Sequence, residues 1–251
     1  MGSRVAVSLT CGVAKDDANI VARRPRHAEL VNKAGPGLRG QDVPLMMEAH
    51  GFPRRARRPM VGVNDATLSD GVVMLRRWLP DDAPAVFAAC QDPLIARFVP
   101  IPQPYAEAHA RAFVERRRHD WDTEDERSFA IVDAGSGELL GSIARHGPSG
   151  HRVTFGYWLA PQARGRGAAT RALRLITDWT IATTAVIRLD LYTDVENDAS
   201  GRVAERAGFV REGVRRAWDL DREGRPCDVV FYVRVRGDDD KGGPTGSRSN
   251  S

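Results

Sequence analysis

A short turn between a strand-like segment and a helix-like segment constrains this chain more than any other feature. Residues 162–167 have the sequence Gln-Ala-Arg-Gly-Arg-Gly and follow an apolar segment that ends at Leu159. After Gly167 the apolar side chains recur three or four positions apart, a spacing that gives a helix one apolar face. The pattern predicts a strand, a tight turn and then an amphipathic helix from Gly167 to about Thr184.

The chemistry of this turn suits an anion. Gly165 and Gly167 can adopt positive φ and allow the backbone to approach a bound group closely. The first amides of the following helix have no partners within it, and the helix dipole places partial positive charge at the same end. Arg164 and Arg166 add two further positive charges. A pyrophosphate group is therefore the natural occupant of the turn.

Two other kinds of phosphate-binding turn are excluded by the residues around the motif. No Lys-Ser or Lys-Thr pair follows the glycines, so this is not the loop that binds nucleoside triphosphates. Dinucleotide-binding turns need three glycines at another spacing within a parallel βαβ unit. Here the strand over 152–159 follows two other strand-like segments, with Gly-containing turns between them, which indicates an antiparallel meander.

The two ends of the chain differ in composition from the middle. Residues 1–69 contain a single aromatic side chain, Phe52, and an arginine-rich stretch over 54–58. Such a segment buries too little apolar surface to offset its ordering entropy, so we predict a disordered extension over 1–69. The Gly- and Ser-rich residues 237–251 are predicted to be a disordered tail. One folded domain is expected over 70–236.

Periodicity within the middle segment predicts an α+β fold. We expect a mixed, mostly antiparallel central sheet of about 6–7 strands, flanked by helices on both faces. The predicted strands cover 72–79, 128–133, 139–146, 152–159, 187–192, 209–220 and 228–235, and the predicted helices cover 81–91, 107–121, 167–184 and 197–207.

Composition also narrows the protein class. No stretch approaches the roughly 20 apolar residues that span a bilayer, and the N-terminus lacks a signal-peptide pattern, so we expect a cytoplasmic protein without a membrane partner. Cys11, Cys90 and Cys227 are too far apart to form a metal-type spacing or a disulfide framework, and we predict no metal site. The net charge of +4 is too small to identify a partner.

With these motifs in view, the chain resembles the GCN5-related N-acetyltransferases (GNAT). The pyrophosphate loop of that family has the pattern Gln/Arg-x-x-Gly-x-Gly/Ala, which Gln162, Gly165 and Gly167 match. The segments 156–161 before the loop and 197–209 after it resemble the branch typified by ribosomal-protein N-terminal acetyltransferases of the RimJ/RimL type. The resemblance covers about residues 71 to 236.

The resemblance implies an acetyl-CoA-dependent N-acetyltransferase with the GNAT fold. Acetyl-CoA would bind where the strand over 152–159 separates from the strand over 187–192, and a primary amine would attack the thioester directly. The acceptor would be a protein N-terminal α-amine or a small-molecule amine. The residues implied in cofactor binding are Trp158, Leu159, Ala160, Arg164, Gly165, Arg166, Gly167, Ala168, Ala169, Asn197 and Ser200.

The proton-handling groups are less clearly marked. Many family members carry a Tyr on the helix after the fifth strand, but residues 200–204 of this chain contain none. Ser200 is the candidate acid, with water as an alternative, and Glu196 is the candidate base. Three further residues are considered as a base, namely Asp194, His146 and His151. Geometry has to decide among them.

Other interpretations remain open from the sequence. One is an acetyltransferase of the same fold that acts on an antibiotic or metabolite amine. Another is a non-catalytic acyl-CoA-binding or regulatory module, which the missing Tyr favours. A third is a nucleic-acid-binding protein that uses the arginine-rich segment over 54–58, although we do not expect nucleic acid as a partner. A homodimer is one assembly that we consider.

Overall fold

Nine strands and five α-helices make up the part of the chain that the computed structural model describes, which is residues 7–8, 66–122 and 126–237. Strands are β1 (Val7–Ser8), β2 (Leu68–Ser69), β3 (Val73–Arg76), β4 (Glu126–Asp133), β5 (Leu139–Ser149), β6 (Arg152–Leu159), β7 (Arg188–Asp194), β8 (Val210–Leu220) and β9 (Pro226–Val235). Helices are α1 (Ala83–Ala89), α2 (Pro93–Phe98), α3 (Glu107–His119), α4 (Ala168–Thr183) and α5 (Asp198–Arg206).

The sheet has the order β2-β3-β4-β5-β6-β7-β9-β8, with β1 added to β6 outside this path. Every recorded pairing is antiparallel except that of β6 with β7. The α+β class and the meander over β4, β5 and β6 are therefore confirmed. Seven of the described strands are longer than two residues, in agreement with the expected 6–7.

Helices cover both faces of the sheet because its central strands are apolar on both sides. Phe129 and Ile131 of β4 lie in one buried cluster with residues of α4 and α5. The alternate residues, Ala130 and Val132, lie in a second cluster with residues of α1, α2 and α3. Successive side chains of a strand point to opposite faces, so α4 and α5 lie on one face and α1 to α3 on the other.

A gap in the sheet is the feature that positions the candidate site. Strands β6 and β7 are paired only from Arg152 opposite Arg188 to Thr154 opposite Asp190, although both strands continue beyond these residues. The other edge of β6 stays paired with β5 as far as Leu159. We call the space beyond Thr154 the β6–β7 gap.

Residues Val7–Ser8 pair antiparallel with Trp158 and Tyr157 of β6. Because the opposite edge of β6 is taken by β5, this pairing uses the edge that faces the β6–β7 gap. The predicted boundaries of the extension and the tail stay predictions, since residues 9–65 and 238–251 lie outside the described residues.

Four elements differ from the sequence-based expectation. The two-residue strands β1 and β2 lie within residues 1–69, where no strand was predicted. Helix α2 was not expected, and it begins with Pro93 directly after the capping residue Asp92. Strand β5 continues to Ser149 rather than ending near His146, because an irregularity between His146 and Ser149 lets the hairpin run to the turn at Gly150. The remaining predicted elements agree with the observed ones to within a few residues at each end.

Candidate active site

The turn over 162–167, which we call the glycine turn, has the backbone geometry that the sequence predicts. Gly165 has a φ of +77° and Gly167 a φ of +78°, both in the left-handed region that favours glycine. A Cβ atom added to either residue would meet nothing within 4 Å. Gly167 is the N-cap of α4, and the next two residues, Ala168 and Ala169, are buried against the core. The turn is thus an open cradle at a helix start whose own amides lack partners in the helix.

The two arginines of the turn differ in what they contact. Arg166 is exposed and makes no recorded hydrogen bond or ion pair with the described residues, although its charge acts on the Asp133 carboxylate. Arg164 is directed inward, and only 7% of its side chain is exposed. Its guanidinium donates to both carboxylate oxygens of Asp92, at 2.9 and 3.2 Å, and to the carbonyl oxygen of Leu159 at 3.3 Å.

The sequence did not predict that the Arg164 guanidinium is paired with a carboxylate of the protein itself. Burial by itself raises the pKa of Asp92, but hydrogen bonds from Arg164 and from the amides of Ile95 and Leu94 outweigh it, so the pKa is lowered overall. Asp92 is therefore ionised and pairs with Arg164 at neutral pH. Within the turn, Arg166 is the side chain that stays available to a bound anion.

The end of β6 has one backbone edge towards β5 and one towards the gap. The amide of Ala160 donates to the carbonyl of Leu140 at 2.8 Å, so it is directed to β5. Because backbone groups alternate along a strand, the amide and carbonyl of Leu159 face the other way, into the gap. The Trp158 ring lies 6.4 Å from the Phe113 ring, in the cluster on the side of α1 to α3.

A buried pair of hydroxyl groups lies at the start of α5. Asn197 caps the helix, and its side-chain oxygen accepts a hydrogen bond from the Ser200 amide at 3.2 Å. The Ser200 hydroxyl lies 2.8 Å from the Tyr157 hydroxyl, and both residues are buried. Burial raises the pKa of Tyr157 above its ordinary value, against the opposing effect of the Ser200 hydrogen bond. Tyr157 is therefore a protonated phenol at neutral pH and can donate to Ser200.

Glu196 lies on the segment between β7 and α5 and is exposed. Its carboxylate forms an ion pair with Arg97 of α2, and its amide donates to Asp194 at 2.7 Å. The turn between β8 and β9 reaches the same helix, since Arg222 donates to the carbonyl of Ala96 at 2.9 Å. Arg222 also reaches the carbonyls of Ile101 and Val99, at 3.3 and 3.4 Å, so the turn over 221–224 contacts the segment that follows α2 as well. We call Glu196 and the turn over 221–224 the acceptor side.

The histidines that were considered as a base lie elsewhere. His146 lies opposite Thr154, at the end of the paired part of β6 and several residues before Tyr157. Its Nδ1 atom is 2.7 Å from a carboxylate oxygen of Glu126, which also pairs with Arg117 at 2.8 Å. His151 is exposed in the turn between β5 and β6. His146 therefore has a structural pairing, and the carboxylates next to the start of α5 that were considered as a base are Asp194 and Glu196.

The pairing of Glu126 with His146 and Arg117 predicts how the unfolding free energy depends on pH below 5. Burial raises the pKa of Glu126, but His146 and Arg117 lower it overall to about 2. A carboxyl group with a lowered pKa stabilises the fold above its unfolded pKa of about 4.3 and loses that contribution as the pH falls towards 2. We expect Glu126→Gln to remove up to about 3 kcal/mol of pH-dependent unfolding free energy between pH 5 and pH 2.

The measurement is urea unfolding at a series of pH values. Glu107→Gln is the matched control, because Glu107 pairs with Arg111 on the surface of α3, with 67% and 66% of the two side chains exposed. Exposed pairs of this kind contribute little, so the control should keep the acid slope of the original protein. An unchanged slope in Glu126→Gln would contradict the assignment.

No group of three or more His, Cys, Asp or Glu residues in the described ranges is arranged to hold a metal ion. Of the cysteines, Cys90 is buried and Cys227 is partly buried, and Cys11 lies outside the described residues. Within the same ranges, no helix has both the length and the apolar character needed to cross a membrane.

Sequence reasoning missed Asp92 and gave Tyr157 no role beyond core packing. The signal for Asp92 was present, because Asp followed by Pro is a common start of a helix, with the Asp as N-cap. The contact of Asp92 with Arg164 spans 72 residues, and that of Tyr157 with Ser200 spans 43. No local pattern encodes contacts of that kind.

The comparisons with known proteins all point to acetyltransferases. Residues 73–210, more than half of the chain, match the family described as "Acetyltransferase (GNAT) domain". The chain is 22% identical over 166 residues to the "Uncharacterized N-acetyltransferase YoaA" of Bacillus subtilis (strain 168), a match that covers 65% of this chain and 93% of that protein.

Two solved structures show the same fold. One is RimL, a ribosomal L7/L12 alpha-N-protein acetyltransferase in complex with coenzyme A, with a TM-score of 0.61 and 20% identity over 68% of this chain and 98% of that one. The other is the microcin C7 self-immunity acetyltransferase MccE in complex with acetyl-CoA and AMP. It has a TM-score of 0.59 and 20% identity, and the match covers 66% of this chain and 93% of MccE.

Proposed function

Since the chain belongs to the GNAT acetyltransferase family, we propose that it transfers the acetyl group of acetyl-CoA to a primary amine while both substrates are bound. The family is one of N-acetyltransferases, and the proposal adds the contacts and the roles of the residues of this chain. The observation that carries it is the open turn at Gly165 and Gly167, which begins α4 beside the β6–β7 gap. Two neighbours with the same fold are described as complexes with coenzyme A or acetyl-CoA.

The turn fits the diphosphate of coenzyme A. A Cβ atom added to Gly165 or Gly167 would meet nothing within 4 Å. In the proposed complex, the amides from Arg164 to Ala169 and the Arg166 side chain would contact the diphosphate. The gap-facing backbone of Leu159 would pair with the pantetheine arm, with Trp158 and Ala160 holding the strand in place. Pantetheine on this edge would replace Val7–Ser8, which pairs with β6 at the same positions. Asn197 and Ser200 would border the thioester end.

Acetyl transfer requires the amine to lose one proton and the departing thiolate to gain one. As the amine nitrogen bonds to the acetyl carbon, the carbon–sulfur bond breaks, the amine releases a proton, and the departing thiolate takes one up. Tyr157 can donate a hydrogen bond to the Ser200 oxygen, so the Ser200 proton is directed to the thiolate, and the pair would regain a proton from water as the products leave. Glu196 would accept the amine proton, directly or through water, once its carboxylate turns from Arg97 towards the acceptor.

The acceptor is proposed as a protein N-terminal α-amine or a small-molecule amine. The first is supported by the RimL neighbour, which is described as an alpha-N-protein acetyltransferase. The second is supported by the microcin C7 self-immunity acetyltransferase MccE, which is described as a complex with acetyl-CoA and the small molecule AMP. A non-catalytic acyl-CoA-binding module is the second candidate function, and it is favoured by the missing Tyr on α5.

The test is release of free thiol from acetyl-CoA by the full chain, with a panel of small amines and peptides with free N-termini. Thiol release that depends on one class of acceptor supports the proposal and names the class. Binding of coenzyme A without turnover on any acceptor would favour the non-catalytic module. Failure to bind coenzyme A at all would contradict both.

Ser200→Ala tests the acid role. We expect kcat to fall by on the order of 100-fold, the lower end for loss of a positioned acid, with the Kd for coenzyme A little changed. Ser128→Ala is a matched control, because Ser128 is also fully buried and accepts a hydrogen bond, from Trp78 at 3.1 Å, in the other cluster. If both variants keep full turnover, Ser200 has only a structural role and water supplies the proton.

A further inference from the structure

Helix α2 is attached at both ends to parts of the candidate site. Its N-terminal residue Asp92 is bonded to the glycine turn through Arg164. Its C-terminal half contacts the acceptor side, through Arg97 to Glu196 and through the Ala96 carbonyl to Arg222. We propose that Arg164 and Asp92 are positioning residues, which couple binding of coenzyme A in the turn to the arrangement of the acceptor side. The inference rests on the proposed function, because it assumes that the turn binds the diphosphate.

The attachment at the N-terminal end is concentrated on one carboxylate. One oxygen of Asp92 accepts from the amides of Leu94 and Ile95, both at 3.0 Å, and from Arg164 at 2.9 Å. The same side chain therefore caps α2 and holds the guanidinium. Because the side chains of Arg164 and Asp92 are only 7% and 14% exposed, water does not readily replace either partner.

Arg164 also contacts the gap. Besides Asp92, its guanidinium reaches the carbonyl of Leu159, whose backbone faces the β6–β7 gap. One side chain thus joins the turn, the start of α2 and the edge proposed for pantetheine. A bound diphosphate would fix the backbone of the turn, and a fixed turn would hold α2 through this side chain.

Between its two ends, α2 is anchored by a buried face. Ile95 and Phe98 are buried in the cluster beneath it, with 0% and 6% exposed. Arg222 adds weaker contacts to the carbonyls of Ile101 and Val99, at 3.3 and 3.4 Å. Holding α2 therefore positions Arg97, the ion-pair partner from which Glu196 turns towards the acceptor, and the Ala96 carbonyl that accepts from Arg222. Coupling of this kind is reciprocal, so the acceptor should also tighten coenzyme A binding.

Hydrogen exchange of the full chain, with and without coenzyme A, tests the coupling without any acceptor. In the original protein we expect coenzyme A to slow exchange of the amides over 165–169 and also of the amides over 94–98. The slowing over 94–98 should be about fivefold, the lower end of ordinary site-to-site coupling. In Arg164→Gln the turn should still be protected, whereas α2 should not.

Two variants make the comparison specific. Arg166→Gln removes the same charge from the same turn, but Arg166 has no recorded bond to α2 among the described residues, so coenzyme A should bind more weakly and still protect 94–98. Asp92→Asn keeps a side-chain oxygen to cap α2 and loses the ion pair. It should behave like Arg164→Gln, and the double variant should be no worse than either single one.

The kinetic readout separates coupling from damage to the fold. With an acceptor that supports turnover, Arg164→Gln should raise the KM for the acceptor by about fivefold at saturating acetyl-CoA. Arg164→Lys keeps the charge but not the two-point contact, and it replaces Arg164→Gln if that variant does not fold. Unchanged α2 protection in Arg164→Lys and Asp92→Asn would overturn the inference. Failure of the original protein to bind coenzyme A would instead contradict the proposed function.

Discussion

Gly165→Glu will reduce the affinity for coenzyme A by roughly 30- to 100-fold. The added carboxylate would lie in the open space beside Gly165, where the diphosphate is proposed to bind and where a Cβ atom would meet no atom within 4 Å apart from those of the two adjoining residues. A negative charge about 5 Å from a phosphate costs roughly 2–3 kcal/mol near a protein surface. Each 1.4 kcal/mol corresponds to about a factor of ten in the dissociation constant.

Backbone strain must be separated from this electrostatic effect. Gly165 has a φ of +77°, and a residue with a side chain is disfavoured there by about 1–2 kcal/mol. Gly150 is a suitable control, because it has a φ of +64°, equally open surroundings and a place in the hairpin turn between β5 and β6. Gly150→Glu therefore has the same charge and a similar strain at the opposite end of β6.

Calorimetric titration with coenzyme A, together with thermal unfolding, gives the two effects separately. Both variants should lose similar stability, and only Gly165→Glu should lose affinity. An affinity of Gly165→Glu that equals that of the original protein would mean that the turn does not hold the diphosphate. Equal loss in both would mean that the effect is one of stability or net charge and not of a local anion site.

The features of this site that the sequence predicts are those determined by residues adjacent in the chain. The turn, its positive φ values and the start of α4 follow from adjacent residues, and all were predicted. The role of Arg164 was not, because a charged side chain beside two glycines has no local preference between a phosphate and a protein carboxylate. The choice is made by α2, which brings Asp92 to within 2.9 Å of Arg164 from 72 residues away.

The same distinction applies to the fold. Strands β4, β5 and β6 are joined by short hairpins, so their antiparallel pairing could be predicted from the turns. The parallel contact of β6 with β7 spans a whole helix, and only resemblance to a family suggested where the two strands separate. The Tyr157–Ser200 pair depends on that separation and on the packing of α5, so no spacing in the sequence could have indicated it.

Gly141→Ala should destabilise the protein by about 3 kcal/mol, the upper part of the range for overpacking a core. A Cβ atom on Gly141 would lie 2.2 Å from the carbonyl oxygen of Trp158 and 3.0 Å from the Cα atom of Leu159. Both are backbone atoms, so no change of rotamer can relieve the contact. Strands β5 and β6 would have to separate where they are closest, and Tm should fall by roughly 6–12 °C.

Gly135→Ala is the matched control, because its Cβ atom would meet only the Asp133 side chain, at 3.4 Å, with no positive φ. It should keep the original Tm, and an equally stable Gly141→Ala would show that the close approach is dispensable.

The position of Gly141 also predicts an effect on coenzyme A binding. Since it lies opposite Leu159, separation of the strands would move the backbone edge that faces the gap. Well below its Tm, Gly141→Ala should therefore bind coenzyme A more weakly, because the pantetheine edge and the turn would no longer be held in register.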